Sequence, residues 1–497
     1  MSKSPNNQQA GGFPSFTTVN FYAGSKLNRL SWLRTSTEFL NSSIASPETR
    51  FVVMKNNNPL CHGDEAPEDQ RGLLATLSWD EVKPYILDNV KASGGVETES
   101  ENALVFGPQA YGLKNGGSEE KDFTRATDGV GPNRLALVFL GIDESKLNNT
   151  SLPGQLAKDS SKESDAANDK AAPAGVPYFA LSLSYRPPFL AAEERAPLQA
   201  LLEKIESEKD KYDFIDLRAS SQAARWPAEE AAVVAQAKSL LDWNERHQYC
   251  PGCSRQQYSL WAGYKRGCSS SLGNASPGTT FSQAFLPANT STFADDGKGV
   301  CPSTKVLSNF HYPRTDPVII MAIISPDGEK VLLGRQKKWP AGFYSCLAGF
   351  CEPGESFEEA VRREVLEESG IQVDQVIYHS SQPWPYPTNL MAGFYGIAKS
   401  DNEKDIRLDL DNELEHARFY TKQEILDVLG GDTQVTRAEL AKIDQQHDDV
   451  KEVEKRRKEV GIRLPPRTAI ARVLVEAWAK GQAVLPNHMD SFQKTCM

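Results

Sequence analysis

The chain has 497 residues, more than one ordinary hydrophobic core holds, so two or three domains are expected. Its net charge of −11 and isoelectric point near 5.4 disfavour general binding to nucleic acid or anionic membranes, but leave room for a local basic patch. The sequence has no apolar run long enough to cross a bilayer, and its first residues lack the apolar core of a signal peptide. We therefore expect an intracellular protein without a membrane partner, whose eight cysteines are thiols or metal ligands rather than disulfides.

The part of the chain before residue 316 is predicted to contain strands, a helix and two polar insertions. Residues 144–175 and 269–300 are rich in small polar side chains, so we interpret them as surface insertions. Two β-rich runs, 135–142 and 178–185, flank the first insertion and are able to pair across it. A helix is predicted at about 227–246, because Ala, Val and Leu recur there at helical spacing and a proline suits a first helical turn.

Four cysteines follow this helix. Cys250 and Cys253 form a C-x-x-C knuckle, Cys268 comes fifteen residues later, and Cys301 follows the second insertion. Four thiolates suit tetrahedral Zn2+ in a structural site, with His247 as a possible substitute ligand. Free buried cysteines and a redox pair are the alternatives, and a redox C-x-x-C normally begins a helix in a βαβ setting.

The chain beyond residue 316 alternates between strand and helix patterns, which indicates an α/β fold. The apolar run 318–324 predicts a buried strand, and 331–333 predicts a second one after the Asp327-Gly328 turn. The remaining elements predicted here are strands at 375–379, 392–398 and 416–420 and a last helix at about 468–480.

Within this region, residues 349–371 combine glycines, an arginine and glutamates at fixed spacings. Ser356 followed by Glu359 is a capping box that begins a helix, and Gly370 provides its C-terminal stop. Three glutamates share one face of the predicted helix, about 100° wide: Glu364, Glu367 and Glu368. Like charges one turn apart on a helix repel, and a divalent cation removes this penalty because hard cations prefer carboxylate oxygens. The alternative is an acidic face that is merely solvated.

The same segment resembles the Nudix box, G-x5-E-x7-R-E-U-x-E-E-x-G-U, in which U is aliphatic. The resemblance implies an α/β/α sandwich that hydrolyses a nucleoside diphosphate linked to another group, using divalent metal. Every specified position is filled, by Gly349, Glu355, Arg363, Glu364, Val365, Glu367, Glu368, Gly370 and Ile371.

A proline-rich strip follows the box at 381–391. Its prolines, at 383, 385 and 387, fix φ, remove backbone donors and hold the segment extended. The strip would present Gln382, Trp384 and Tyr386 with little conformational entropy left to lose on binding. Rigid aromatic rings beside an amide suit a flat heterocycle. A proline-rich docking peptide or a plain loop are the alternatives.

This strip resembles the S-Q-P-W-P-F-P-x-S signature of the NADH pyrophosphatases, a zinc-containing Nudix subfamily, with Tyr386 in place of Phe and Asn389 in place of the last Ser. The four cysteines and the stretches 20–29 and 312–317 also resemble this subfamily. The resemblance implies an N-terminal Nudix-like α+β domain without a box (20–245), a zinc ribbon (246–312) and a catalytic domain (313–485), between a disordered N-terminus (1–19) and a tail (486–497).

The resemblance also assigns roles to single residues. Arg363 orients the box glutamates through charged hydrogen bonds, Glu367 is the candidate base, and Phe350 stacks on the substrate. The implied ligands of Mg2+ or Mn2+ are the Ala348 carbonyl, Glu364, Glu367, Glu368 and Glu413, with Glu415 as the rival of Glu413. The implied substrate pocket comprises Tyr312, Ala348, Gly349, Phe350, Gln382, Pro383, Trp384, Pro385, Tyr386, Pro387, Thr388, Asn389, Glu413 and Ala471.

The activity implied by the resemblance is hydrolysis of the pyrophosphate bond of NADH, and of NAD+, to nicotinamide mononucleotide and AMP by a homodimer. Removal of NAD caps from RNA 5′ ends uses the same chemistry and is an alternative, although the acidic net charge favours the free dinucleotide. A non-catalytic zinc-ribbon binding module is an alternative of another class, and the intact box argues against it. The last three residues are not a Ser-Lys-Leu ending, so the sequence carries no obvious peroxisomal signal there. Cytoplasm and peroxisome both stay open as compartments.

Overall fold

Two mixed β-sheets, one in each half of the chain, carry most of the secondary structure. The predicted N-terminal segment, the tail and both insertions lie largely outside the described residues. The computed structural model describes residues 18–92, 105–106, 135–145, 175–186, 192–218, 220, 225–254, 257–268, 301, 311–340, 342–431 and 462–485.

The elements are numbered in chain order. The first half contains the strands β1 (Leu27–Asn28), β2 (Arg50–Lys55), β3 (Asn58–His62), β4 (Thr76–Ser78), β5 (Leu137–Asp143), β6 (Val176–Ser182) and β7 (Tyr212–Phe214), and the helices α1 (Thr37–Ile44), α2 (Trp79–Ala92), α3 (Ala192–Ser207) and α4 (Ala228–Arg246). A hairpin follows, with β8 (Gln257–Leu260) and β9 (Lys265–Cys268). The second half contains the strands β10 (Asp316–Ile324), β11 (Lys330–Gln336), β12 (Leu347–Phe350), β13 (Val373–Trp384), β14 (Asn389–Ala398) and β15 (Leu414–Thr421), and the helices α5 (Phe357–Ser369), α6 (Lys422–Gly430) and α7 (Ile470–Ala479).

The first sheet has the strand order β1-β5-β6-β2-β3-β7, with β4 paired to β2. Alternate side chains of β2 point to opposite faces, as the period of a strand requires. Phe51 and Val53 belong to a core with α2 and α3, whereas Val52 and Met54 belong to a core with α4. Both faces of this sheet are therefore buried under helices, which explains its continuous apolar strands.

The second sheet has the order β13-β14-β10-β11-β15, with β12 paired to β10. Its central strand β10 again divides its side chains between two cores. Ile319 and Met321 pack in the core beneath α5, and Ile320 and Ala322 pack in the core beneath α6 and α7. The second half is therefore the three-layer α/β/α sandwich that was expected.

The two sheets share one topology. In each, a central strand runs parallel to one neighbour, β2 to β6 and β10 to β14, and a short antiparallel strand leads into a helix, β4 into α2 and β12 into α5. The connection that follows differs. Between β6 and β7 it contains α3, whose Leu198 and Leu201 are buried with Ile86 of α2. Between β14 and β15 the connection 399–413, described throughout, contains no α-helix and carries acidic residues instead.

Most predicted elements are confirmed. The helix expected at about 227–246 is α4, preceded by Pro227, and the runs flanking the first insertion form the antiparallel pair β5 and β6. The predicted strands of the second half are present, and the last helix begins at Ile470, two residues later than expected. Strand β13 continues to Trp384 and so includes the first part of the proline strip.

Among the residues that the structure describes, none of the helices is long and apolar enough to span a membrane.

We expect Leu201→Ala to lower the free energy of unfolding of the N-terminal half by about 2–5 kcal/mol, because Leu201 is fully buried between α2 and the sheet and its loss leaves a cavity. Chemical denaturation followed by intrinsic fluorescence measures the change. Leu410→Ala is the matched control, since Leu410 is 45% exposed. Equal effects of the two substitutions would contradict the placement of α3 in the core.

Candidate active site

The box segment folds as a turn followed by α5, as predicted. The Ser356 hydroxyl accepts a hydrogen bond from the Glu359 amide (3.3 Å), and the Ser356 amide donates to the Glu359 carboxylate (2.7 Å). Gly370 ends the helix with φ of 73°, a left-handed conformation that glycine adopts without steric cost. These two ends fix which side chains of α5 face β12.

Gly349 lies where the Glu364 side chain crosses β12. A Cβ atom on Gly349 would lie 2.0 Å from the Glu364 carboxyl carbon and 2.2 Å from its Oε1, so a side chain there would displace the Glu364 carboxylate. Gly349 also pairs with Ile319 in the sheet, which holds its backbone in place. The first glycine of the box is therefore required by the packing of Glu364.

The Arg363 guanidinium binds three box carboxylates. It donates to both oxygens of Glu355 (2.5 and 2.9 Å), to Glu364 (2.8 Å) and to Glu367 (2.9 Å), and also to the Phe350 carbonyl (3.0 Å). The hydrogen bonds from Arg363 stabilise the ionised form of Glu355 and lower its pKa to about 2. Arg363 is therefore placed to orient the glutamates at this end of the site.

Glu368 is in a different environment, with 2% of its surface exposed. Burial raises the pKa of Glu368 to about 9, the charges of Glu413, Glu364 and Asp411 add to the shift, and a hydrogen bond with the Ala348 backbone opposes it. Its Oε1 is buried and has no hydrogen-bond partner in the described part of the chain. A buried carboxylate is costly unless it is protonated or meets a cation, so this atom fits a divalent-metal site.

Glu413 reaches the same site from the start of β15. Burial raises its pKa, with further contributions from Asp411 and Glu364, and Lys338 opposes the shift. The Gln336 side-chain amide donates to the Glu413 carboxylate, and the Glu413 backbone amide donates to Asp411 Oδ1 (3.0 Å). These contacts hold the Glu413 carboxylate near the box helix.

Glu415, the rival of Glu413, forms an ion pair with the buried Arg335 instead. Arg335 also donates to the Trp339 carbonyl (3.0 Å), which holds the Arg335 side chain of this pair in place. The surroundings of Glu413 therefore fit a metal ligand better than those of Glu415. Among the described residues, no three carboxylates approach one another as closely as the four cysteine sulfurs do.

The predicted pocket residues divide between two places. Phe350, at the end of β12, is 57% exposed, and Ala348 precedes it in the same strand. Ala471 is buried in the first turn of α7. Tyr312 is half-buried and packs on Trp261 of the cysteine hairpin, with 5.8 Å between the ring centroids. Phe350 and Ala348 thus lie beside the carboxylates, whereas Tyr312 lies against the hairpin formed by β8 and β9.

The proline strip folds as a hairpin. Residues 381–384 complete β13, Trp384 pairs with Asn389 of β14, and 385–388 form the turn between them. The prediction of a strip extended over its whole length is therefore wrong, because pairing of β13 with β14 reverses the chain at Pro385–Thr388. The turn residues Pro385, Tyr386, Pro387 and Thr388 are consequently at the hairpin tip, and Pro383 and Asn389 are in its strands.

The hairpin tip contacts the N-terminal half. The Tyr386 ring lies edge-on to Tyr22 (6.4 Å between centroids) with the hydroxyls 3.0 Å apart, and the Arg218 guanidinium carbon lies 4.2 Å from the Tyr386 ring centroid. Trp384 also lies edge-on to Tyr22, at 6.3 Å. The Gln382 amide is buried within this region. Contact of these side chains with a heterocycle stays a prediction.

The four cysteines predicted to bind zinc come together. Their sulfur atoms all lie within 4.8 Å of one another, with 3.4 Å between Cys253 and Cys268 and 3.9 Å between Cys250 and Cys301. Sulfurs about 2.3 Å from a tetrahedral ion are about 3.8 Å apart, so the arrangement fits Zn2+. His247 bonds to the Trp243 carbonyl through Nδ1 (2.9 Å) and is not in this cluster.

Two residues of the site were missed by sequence reasoning. Asp411 lies two positions before Glu413 in an acidic run and was within reach of such reasoning. Gln336 shows no local signal, since the β11–β15 pairing, which sets Gln336 opposite Leu414, brings it to Glu413.

Comparison with known families agrees with the two-sheet architecture. The family described as NUDIX domain matches residues 313–440, and the family described as NADH pyrophosphatase-like rudimentary NUDIX domain matches residues 48–243. The two matches cover the second and the first sheet, respectively. Two domains of NUDIX type in one chain thus account for the strand order that the two sheets share.

Similar proteins extend over nearly the whole chain. An NAD-capped RNA hydrolase of Schizosaccharomyces pombe is 31% identical over 461 residues, which are 92% of this chain and 92% of that protein. An NAD-capped RNA hydrolase of Homo sapiens is 29% identical over 93% of this chain and 73% of that protein. A mitochondrial NAD(P)H pyrophosphatase of Homo sapiens is 29% identical over 69% of this chain and 80% of that protein. The chain therefore belongs to the Nudix hydrolases, in the NADH pyrophosphatase-type group that carries a second, rudimentary Nudix domain.

The raised pKa of Glu368 predicts how the stability of the metal-free protein varies with pH. The folded state holds a proton on Glu368 up to pH of about 9, whereas the unfolded state loses it near the ordinary value of 4.5, so stability falls as pH rises between these values. The loss reaches about 3 kcal/mol at pH 7. In Glu368→Gln this contribution is absent, and within the site the contributions of Glu364 and Glu413, whose pKa values are also raised by burial, are left.

Urea unfolding in EDTA between pH 5 and 8.5 measures this difference. We expect Glu368→Gln to be more stable than the unsubstituted protein at pH 8 and close to it at pH 5. Glu358→Gln, an exposed position in the first turn of the same helix, is the control and keeps the original slope. Parallel pH profiles for the protein and Glu368→Gln would refute the burial argument.

The cysteine geometry predicts one tightly bound zinc ion per chain. Cys253→Ser should lower the zinc content to near zero and the melting temperature by more than about 5 °C, because metal-binding free energy is part of the folding free energy of such sites. Elemental analysis and thermal melting are the measurements. Cys351→Ser is the control, since Cys351 lies outside the cluster, and it should keep the zinc. Retention of zinc by Cys253→Ser would exclude the cluster as the site.

Proposed function

We propose that this protein hydrolyses the pyrophosphate bond of NADH, and also of NAD+, to nicotinamide mononucleotide (reduced in the case of NADH) and AMP. The observation that carries the proposal is the buried, unpartnered oxygen of Glu368, surrounded by carboxylates and next to the strand that ends in the exposed ring of Phe350. A diphosphate needs cations held by such carboxylates, and a flat base needs a ring on which to stack.

The proposed holders of Mg2+ or Mn2+ are the Ala348 carbonyl, Glu364, Glu367, Glu368 and Glu413. When bound, such cations neutralise the charge that develops on the pyrophosphate oxygens and lower the pKa of water. Glu364 and Glu367 both accept hydrogen bonds from the Arg363 guanidinium, which holds their carboxylates in place. Glu368 has to lose its proton before it binds a cation, which makes metal affinity increase with pH.

The proposed base is Glu367, whose side chain is 50% exposed and therefore accessible to water. It accepts a proton from the attacking water while the water oxygen forms a bond to one phosphorus and the bridging P–O bond breaks. The bridging oxygen leaves on the other nucleotide, so each product keeps one phosphate. Arg363 keeps Glu367 oriented during this step through its 2.9 Å hydrogen bond.

The proposed base-recognition groups begin with Phe350, which lies beside the carboxylates. Phe350 stacks on one heterocycle of the dinucleotide, and Tyr312, Ala471 and the hairpin from Pro383 to Asn389 complete the pocket, with the buried amide of Gln382 behind it. We include in the proposal a homodimer, a structural zinc ion held by the four cysteines, an intracellular location in cytoplasm or peroxisome, and the domain boundaries given by the sequence. Sedimentation analysis tests the dimer.

Removal of NAD caps from RNA is the second candidate, and the specific observation that favours it is the name of the Schizosaccharomyces pombe and Homo sapiens relatives, NAD-capped RNA hydrolase. The scissile pyrophosphate is the same in both substrates. Turnover of NADH, NAD+ and NAD-capped RNA, compared at equal concentration with Mg2+ or Mn2+, separates the two candidates. Faster cleavage of capped RNA would reverse their order.

We expect Glu364→Gln and Glu368→Gln each to lower kcat for NADH by at least about 100-fold while the protein stays folded, because each removes a carboxylate that holds the cation. Product analysis by chromatography, with circular dichroism as a folding check, is the measurement. Glu358→Gln on the same helix is the control and should keep nearly full activity. Near-full turnover by Glu368→Gln would show that the metal assignment is wrong.

A further inference from the structure

The buried amide of Gln382 joins three separate segments of the chain. Its Nε2 donates to the Phe21 carbonyl (2.9 Å) and to the Thr468 carbonyl (2.8 Å), and its Oε1 accepts from the Ile470 amide (2.9 Å). Gln382 is 1% exposed, and both of its N–H groups are used within the chain. In this arrangement Gln382 has no donor left to offer to a ligand.

The bond to Ile470 caps helix α7. The first amides of a helix have no partner within it, and the N-cap residue here, Ala469, has no side-chain acceptor. Gln382 Oε1 supplies that acceptor from β13. The next residue of the helix is Ala471, and the Ala471 carbonyl accepts a hydrogen bond from the Cys346 thiol (3.7 Å), in the residue just before β12. Gln382 thus fixes the N-terminal end of α7, which adjoins the residue before β12.

Asn20 forms the other half of the same connection. Its side-chain amide donates to the Ser380 hydroxyl (3.0 Å) and to the Ser381 carbonyl (2.8 Å), and Asn20 is 3% exposed. Tyr22 then places its ring against the hairpin tip with φ of 71°, a left-handed conformation that a non-glycine residue keeps only where its surroundings hold it. Residues 20–22 therefore fasten the N-terminal half to β13.

We propose that Gln382 and Asn20 are positioning residues, which act on the substrate through the start of α7 and the hairpin rather than by touching it. This inference rests on the proposed function for its kinetic readout only. The two amides form one unit, because Asn20 holds the backbone of β13 immediately before Gln382 while Gln382 holds the backbone next to Tyr22. Loss of either amide releases the pocket side of α7 and the hairpin tip together.

The test compares Asn20→Ala, Gln382→Met and the double variant in the full-length chain. Met keeps the length of Gln and removes its hydrogen bonds. We expect each single variant to raise KM for NADH by about 10-fold with a smaller effect on kcat, and to lower the melting temperature by about 5 °C. In the double variant the effects should be smaller than the sum of the single ones, since both substitutions open the same unit.

Hydrogen exchange measured by mass spectrometry gives a readout that does not need activity. Peptides covering the start of α7 and residues 20–24 should exchange faster in both single variants. Gln423→Met is the matched control, because Gln423 is an amide on α6 that bonds only within its own helix to Asp427 (2.7 Å), and it should change neither exchange nor KM.

The opposite pattern would overturn the proposal. If Gln382 touched the substrate directly, Gln382→Met would raise KM without changing exchange or melting, and Asn20→Ala would behave like the unsubstituted protein. If Gln382→Met does not fold, Asn20→Ala decides alone, because Asn20 lies outside the catalytic core. If the unsubstituted protein hydrolyses no dinucleotide, the proposed function is wrong. The connection made by Gln382 and Asn20 is then judged by exchange and melting alone, and it is rejected if both are unchanged in the single variants.

Discussion

Repulsion among the carboxylates on and around α5 is the constraint on which the catalytic half depends. Arg363 satisfies one end of the group, where Glu355, Glu364 and Glu367 share its guanidinium. Glu368 receives no bond from that guanidinium, and its carboxylate is buried among further acidic groups, so it is protonated at neutral pH in the metal-free protein. The fold therefore compensates the carboxylates at one end of the site with a guanidinium and, among the described residues, leaves the buried carboxyl of Glu368 without a cationic partner at the other end. The rest of the site, including the glycine that lets Glu364 cross β12, serves to hold this division.

Comparison of the two Nudix-like sheets shows how the same place in one topology holds acidic side chains in the catalytic half and apolar ones in the N-terminal half. In the N-terminal half, the positions of α2 that face the core are apolar, and α3 covers them with leucines. In the catalytic half, the matching connection has no α-helix and delivers Asp411 and Glu413 to α5 instead. The first sheet has the additional edge strand β1, and the order of the other strands is the same in both sheets, so the difference at this place lies in one connection and a few side chains. A Nudix sheet is thus compatible with either a packed core or a cation site at this place.

The sequence predicted the box correctly because its determinants are local. The capping box, the terminal glycine and the spacing of the glutamates all act within one helix, and all are present. The clustering of the four cysteines was also predictable in part, since the first C-x-x-C knuckle is local, although Cys301 comes from beyond a long insertion. The hairpin at 385–388 was missed, because three prolines indicate an extended segment unless the pairing of β13 and β14 is known. The roles of Gln382 and Gln336 depend on partners 77 to 361 positions away, and no periodicity reports such contacts.

These long-range contacts give the half without a box a part in the proposed pocket. The hairpin that follows the catalytic helix has its tip on Tyr22 and Arg218, so its conformation is set by the N-terminal half rather than by the catalytic sheet alone. A hairpin of this length would have to be ordered on binding if it projected into solvent, and that ordering lowers affinity. Packed on the first half, it is ordered in advance. In the proposed function, chemistry is therefore held by contacts within α5, β12 and β15, whereas recognition depends on the contact between the two Nudix-like halves.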